Sequence, residues 1–138
     1  MITTTQTLAE RVIHAWNTKD KNQIFELYTA DFIREDIGRN REYNLKALSH
    51  VLDLYWAAFP DMLFELEDQI ESADKLVIVW NMFGTHKGFF MNIPPTNKKI
   101  QFNGISIAHL RNDKIYKVQY SWDEATMLRQ MGLLPNLK

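Results

Sequence analysis

The spacing of apolar side chains changes from helical to alternating about halfway along the chain. From Thr5 to Asn17, Leu8, Val12, Ala15 and Trp16 recur at helical spacing, with Ile13 widening the stripe and threonines ahead of it to cap the first turn. Asp20 suits the N-cap of a second, shorter helix carrying Ile24, Phe25, Leu27 and Tyr28. A short extended piece, Phe32 to Asp36, and a loop containing Gly38 follow. The clearest helix runs from about Asn44 to Phe59, with Leu45, Leu48, Leu52, Tyr55 and Phe59 on one face and Pro60 limiting its continuation. Ala47, His50, Leu54 and Ala57 take the opposite face, and a helix this apolar all round is expected to be largely covered.

Beyond Pro60 the period becomes that of strands. Met62, Phe64, Leu66 and Ile70 alternate with Leu63, Glu65, Glu67 and Gln69. A turn at Glu71–Lys75 leads into a strand from Leu76 to His86, and residues 87–98 form a loop with adjacent prolines. Ile100 to Leu110 and Ile115 to Ser121 make a hairpin around Arg111–Lys114. Ser121 and Glu124 have capping-box spacing at the start of a last helix. Helices followed by a meandering sheet predict an α+β domain with its helices on one face.

Both faces of these strands carry apolar residues. Phe102, Gly104, Ser106, Ala108 and Leu110 share one face of their strand, with Ile105 and Ile107 on the other. Ile78, Trp80 and Met82 likewise oppose Val79 and Phe83. A sheet covered on one side should be polar on the other. The partly apolar free side therefore predicts a homodimer or higher homo-oligomer formed through the sheet.

Length and charge narrow the classes. The 138 residues suit a single domain spanning 1–138. Seventeen acidic side chains against sixteen basic ones leave no field to hold nucleic acid or an anionic membrane. The chain has no cysteine, which removes disulfides, thiolate metal sites and a thiol nucleophile, and fits a reducing compartment. The N-terminal residues lack a signal-peptide pattern and no apolar run is long enough to span a bilayer, so a cytoplasmic location is expected. The four histidines show no ligand spacing, no glycine-rich phosphate loop follows a strand, and no G-x-S-x-G elbow occurs. Neither a metal nor a nucleotide cofactor is expected.

Two segments carry a resemblance. Gly84-Thr85-His86-Lys87-Gly88-Phe89-Phe90-Met91-Asn92-Ile93-Pro94-Pro95-Thr96 resembles the strand-to-loop signature GTHxGxFxxIPPT of the SnoaL-like polyketide cyclase (ester cyclase) family. Asp123 to Pro135 resembles that family's closing helix, D-x-x-x-x-L-R-Q-x-G-L-L-P. The resemblance implies the fold shared with ketosteroid isomerase and scytalone dehydratase: a cone-shaped, curved, mostly antiparallel sheet with helices on its concave face around a deep pocket. It also implies cofactor-free aldol chemistry on a hydrophobic polyketide-like carbonyl compound. In the founding cyclases an aspartate on the last strand moves the proton. Its position falls at Tyr120, and that of a pocket histidine falls at Ser106.

Candidate roles follow. Tyr120, a phenol of ordinary pKa about 10, is a poor base at neutral pH but a good hydrogen-bond donor to an enolate oxygen. Glu35 sits where many relatives carry a pocket-lining histidine, and burial among aromatics would raise its pKa toward that of a useful base. Alternatively, Arg34, Glu35 and Asp36 form a solvated loop edge. Asp123 matches the second aspartate of the family's W-D-x-W-D run, or else compensates a helix N-terminus. His86 shares parity with Trp80 and Met82, which aims it inward; its other role is to fix the following loop. His14 is expected to be exposed, and His109 to face outward. Trp16, Tyr55, Trp80, Met82, Phe102 and Ser106 would line a pocket for a flat, apolar, oxygenated ligand, or pack as ordinary core. The two function classes are an acid–base cyclase or isomerase, with Glu35, Tyr120, His86 and Asp123 as catalytic candidates, and a non-catalytic binding module for a hydrophobic metabolite.

Overall fold

The computed structural model describes residues 6–137. Thr7 caps the first helix, α1 (Leu8–Thr18): its hydroxyl accepts the Glu10 amide at 3.2 Å while Glu10 Oε1 accepts the Thr7 amide at 3.0 Å. Thr3, Thr4 and Thr5, which precede it, lie outside the described residues. Asp20 caps α2 (Lys21–Phe25), accepting the Asn22 amide at 2.9 Å. Tyr28 does not continue that helix. The Ile115 amide donates to the Leu27 carbonyl at 2.9 Å, which draws the chain into the sheet, and Tyr28 opens β1 (Tyr28–Asp36). A 3-10 turn at Ile37–Arg39 and the short β2 (Arg41–Tyr43) lead to α3 (Leu45–Ala58), capped by Asn44. Then come β3 (Leu63–Glu71), β4 (Lys75–Thr85), β5 (Lys99–Arg111), β6 (Lys114–Trp122) and α4 (Glu124–Gln130).

The strands form one curved, unclosed sheet in the order β2-β1-β6-β5-β4-β3, antiparallel throughout except where β1 runs parallel to β6. On its concave side α1 lies across β3 and β4, α3 across β1 and β2, and α4 against β5. One apolar core joins Ile24, Phe32, Leu48, Leu52 and Leu76; a second, around Phe59, Met82, Ile100 and Met127, closes the end beside α4. Among the described residues no helix is long and apolar enough to cross a membrane.

Three further details depart from the sequence expectations. The α3 face bearing His50, Leu54 and Ala57 is exposed, with Leu54 at 52%, because the helix packs on the sheet by one side and nothing lies over the other. In β3 the register slips between Leu66 and Asp68, so Phe64 and Leu66 pair with inward Met82 and Trp80, whereas Ile70 pairs with outward Val77. Ile70 is consequently 67% exposed. The cap of α4 is Asp123, not Ser121, since β6 continues through Trp122.

Candidate functional site

Between the helices and the sheet lies a cavity of about 110 Å³ that opens to solvent on one side. Its walls are built by strand alternation. Ile78, Trp80 and Met82 face inward from β4, Phe102, Ser106 and Ala108 from β5, and Val118, Tyr120 and Trp122 from β6. Helix α1 adds Val12, Ile13 and Trp16, α3 adds Tyr55, and Phe90 reaches in from the loop after β4. Trp80 lies flat over its cross-strand partner Gly104, where a Cβ would sit 2.1 Å from the indole. Ser106 Oγ accepts the Trp80 Nε1 hydrogen at 3.0 Å and fixes the ring. Trp16 Nε1 in turn donates to Tyr28 Oη at 3.0 Å, and burial pushes the Tyr28 phenol up to about 12.

One pole of this apolar space is charged. Arg34 projects inward from β1 with only 8% of its surface exposed, and no carboxylate among the described residues pairs with it. Its guanidinium carbon lies 3.9 Å from the Tyr120 ring centroid, 5.4 Å from Trp16 and 5.9 Å from Tyr55. Arg34 Nη1 donates to Tyr55 Oη across a long 3.4 Å. A desolvated cation over one aromatic face gains about 2 kcal/mol. Removing an ion from water costs several kcal/mol, so the rings offset only part of that penalty. Burial opposes the charge and the phenol oxygens of Tyr55, Tyr120 and Tyr28 favour it, with the guanidinium pKa moved upward. Burial likewise raises the Tyr120 phenol, against the pull of Arg34, so its hydroxyl stays protonated.

The six side chains expected to line a pocket (Trp16, Tyr55, Trp80, Met82, Phe102 and Ser106) all line this cavity, as does Tyr120. The other three catalytic candidates do not. Glu35 occupies the opposite parity of β1 from Arg34, pairs with Gln119 on the outer face, and approaches Lys117 Nζ at 3.8 Å. Neither the pocket position nor the loop edge describes it; it is a strand residue on the wrong face for a base. His86 is wholly buried at the end of β4, outside the lining. Its Nδ1 accepts the Thr96 amide at 3.2 Å and contacts Thr96 Oγ1 at 2.9 Å, which pins the loop. Desolvation holds its pKa below the ordinary histidine value. Asp123 caps α4, accepting the Thr126 amide at 3.0 Å and its hydroxyl at 2.6 Å, and these bonds lower its pKa. His14 is exposed, and His109 meets Gln119 at 3.0 Å on the outer face.

Arg34 is the residue that sequence reasoning passed over. Its signal was present: Phe32, Arg34 and Asp36 alternate, and an apolar Phe32 marks that parity as inward. Among the described residues no three His, Cys, Asp or Glu side chains cluster as a metal site would require.

Solved structures with this architecture support the fold. A putative hydroxylase, AclR from Streptomyces galilaeus, superposes with a TM-score of 0.83 over 93% of this chain and 84% of its own, at 20% identity. IdmH, a putative polyketide cyclase from Streptomyces antibioticus, gives 0.79 over 88% of this chain and 94% of its own, at 24% identity. A hypothetical protein with a ketosteroid isomerase-like fold from Catenulispora acidiphila gives 0.78 over 95% of this chain and 96% of its own, at 17% identity. No curated protein matches the chain. The family model for SnoaL-like polyketide cyclases matches residues 6–131, from α1 through the end of α4, and the chain belongs to that family.

Proposed function

We propose that the protein binds a hydrophobic, polyketide-like carbonyl compound and, without a cofactor, promotes proton transfer beside the carbonyl, leading to aldol cyclisation or isomerisation. The observation that carries this reading is Arg34, a charged guanidinium at one end of an apolar cavity with N–H groups that no protein acceptor takes up. A carbonyl oxygen placed there gains hydrogen bonds that strengthen as it becomes an enolate oxygen. Tyr120 adds a second donor, since its raised pKa keeps the hydroxyl protonated.

No carboxylate or imidazole among the described residues lines the cavity, so the proton passes to hydroxide entering with solvent from the open side. The carbon–hydrogen bond breaks, and its electron pair is held on the carbonyl oxygen beside Arg34. The carbon then bonds to a second carbonyl carbon of the same molecule, whose oxygen takes a proton from water. The site lowers the barrier by holding charge, not by supplying a base.

Deuterium exchange into the benzylic carbon of benzyl methyl ketone, followed by proton NMR, tests this. Arg34→Met and Tyr120→Phe should each slow the enzyme-dependent exchange about a hundredfold, the usual cost of one oxyanion donor. Glu35→Gln should leave the rate unchanged, and the rate should climb steadily from about pH 5 to 8, without the plateau of a carboxylate base. Exchange that disappears in Glu35→Gln would sink the assignment. The lack of a base among the lining residues favours one other reading, a binding module. In that case the wild type binds the ketone but exchanges it no faster than buffer does.

The finer assembly belongs here too. Leu63, Ile70 and Ile105 are exposed on the outer face of the sheet, which supports a homo-oligomer formed through that face. The absence of cysteine supports a cytoplasmic setting.

A further inference from the structure

The cavity lining carries one charge and it is cationic. Trp80 donates to Ser106 and Trp16 to Tyr28, so both indoles are satisfied and the two hydroxyls keep only a neutral O–H to offer a ligand. The strongest demand is that of the Arg34 guanidinium, which has five N–H donors and spends one on a long contact to Tyr55; beside it the Tyr120 hydroxyl has no protein partner among the described residues. The nearest inward carboxylate, Asp36 on the same strand, is outside the lining and faces Arg39 at 3.8 Å. The aromatic faces around Arg34 attract its charge but leave its in-plane donors without acceptors.

From this arrangement we infer that the cavity selects an acid: an apolar body about one ring in size, carrying a single anionic oxygen group that seats on Arg34 beside Tyr120. The inference rests on the reading of Arg34 given above and narrows its substrate class. A neutral carbonyl leaves the buried charge uncompensated, whereas a carboxylate or an enolate completes a buried ion pair with charge-assisted hydrogen bonds. A second anionic group would meet only apolar wall. The size follows from the cavity of about 110 Å³, of the order of the roughly 150 Å³ void that holds benzene elsewhere.

Calorimetric titration of the wild-type protein with benzoate and with benzamide, at pH 7 and low salt, tests the inference, because the two differ chiefly in charge. Benzoate should bind at least about tenfold more tightly, the scale of one charge-assisted contact. Arg34→Met should erase the difference, and Arg34→Lys should keep part of it. Should Arg34→Met fail to fold, the wild-type comparison decides alone. Equal affinities would overturn acid selection while leaving the carbonyl reading intact, since the amide would then be held as well as the acid. Binding of neither would overturn it as well, and the deuterium-exchange assay would then judge the carbonyl reading separately. The enolate of cyclohexane-1,3-dione separates the two sources of the charge. Preference for it over benzoate assigns the site to enolised dicarbonyls, and the reverse order assigns it to carboxylic acids.

Discussion

Asp123 shows how a residue with the right chemistry can be committed to structure. Both of its oxygens are bound within one turn, Oδ1 by the Thr126 amide at 3.0 Å and Oδ2 by the Thr126 hydroxyl at 2.6 Å, and it stands outside the cavity. Those bonds require the carboxylate, which is why its pKa is lowered. Asp123→Ala should therefore cost about 1 kcal/mol of stability at neutral pH, the usual worth of an N-cap. Because the folded pKa lies below the unfolded value of about 3.9, the stabilisation is complete above that value and fades as pH falls through the folded one. Urea unfolding of wild type and Asp123→Ala at pH 7 and pH 3 should show a gap that narrows in acid. A gap that stays constant would mean the cap does not depend on the charge.

At the scale of elements, the loop between β4 and β5 decides one wall of the cavity, since Phe90 reaches in from it. The loop is tied at three places: Lys87 and Gly88 donate to the Ala58 carbonyl at the end of α3, His86 and Lys98 pair through the backbone, and His86 Nδ1 accepts the Thr96 amide. The last tie requires a neutral imidazole with its proton on Nε2, an atom buried without a partner among the described residues. Desolvation lowers the folded pKa of His86, so its stabilisation is complete above the unfolded value of about 6.5 and is lost as pH falls through the folded value. The urea midpoint of the wild type should drop between about pH 7 and pH 5, and His86→Gln should flatten that slope. An unchanged slope in the variant would assign it to other groups. The same element shows what was legible beforehand. Strands β4 and β5 announced their cavity faces because their alternation is unbroken, which placed Trp80, Met82, Phe102 and Ser106 from sequence alone. On β1 family position points to Glu35 whereas parity points to Arg34, and a shift of one residue exchanges the faces of a strand. The bulge near Glu67 carries no turn residue to announce it, so plain alternation puts Ile70 on the wrong side.

For the whole molecule, the outer surface of the sheet divides into two territories. Over β1 and β6 it is polar, with Glu35 near Lys117 and His109 bonded to Gln119. Over β3, β4 and β5 it is partly apolar, with Leu63 45%, Ile70 67% and Ile105 50% exposed beside half-buried Val79, Phe83 and Ile107, and with Glu65, Asn81 and Asn103 crossing between them. The inner face cannot be exchanged for it, since the helices and the cavity already occupy that side. An interface confined to the apolar territory has to bury about 800 Å² per partner to be stable, and the polar strip beside it would fix the register of the two copies. Ile105→Glu separates this from a merely apolar surface. Half of Ile105 is exposed within one chain, so the substitution should alter the folding stability of that chain by only about 0.5 kcal/mol. In a dimer the same carboxylates would be buried on both sides of the symmetry axis without partners, and association should weaken at least a hundredfold, about 3 kcal/mol. Sedimentation velocity across a dilution series should show a wild-type dimer that Ile105→Glu converts to a folded single chain. Because the cavity lies on the other side of the sheet, benzoate binding should survive that conversion. A wild type that sediments as a single chain at every concentration would leave the apolar territory without an assembly role.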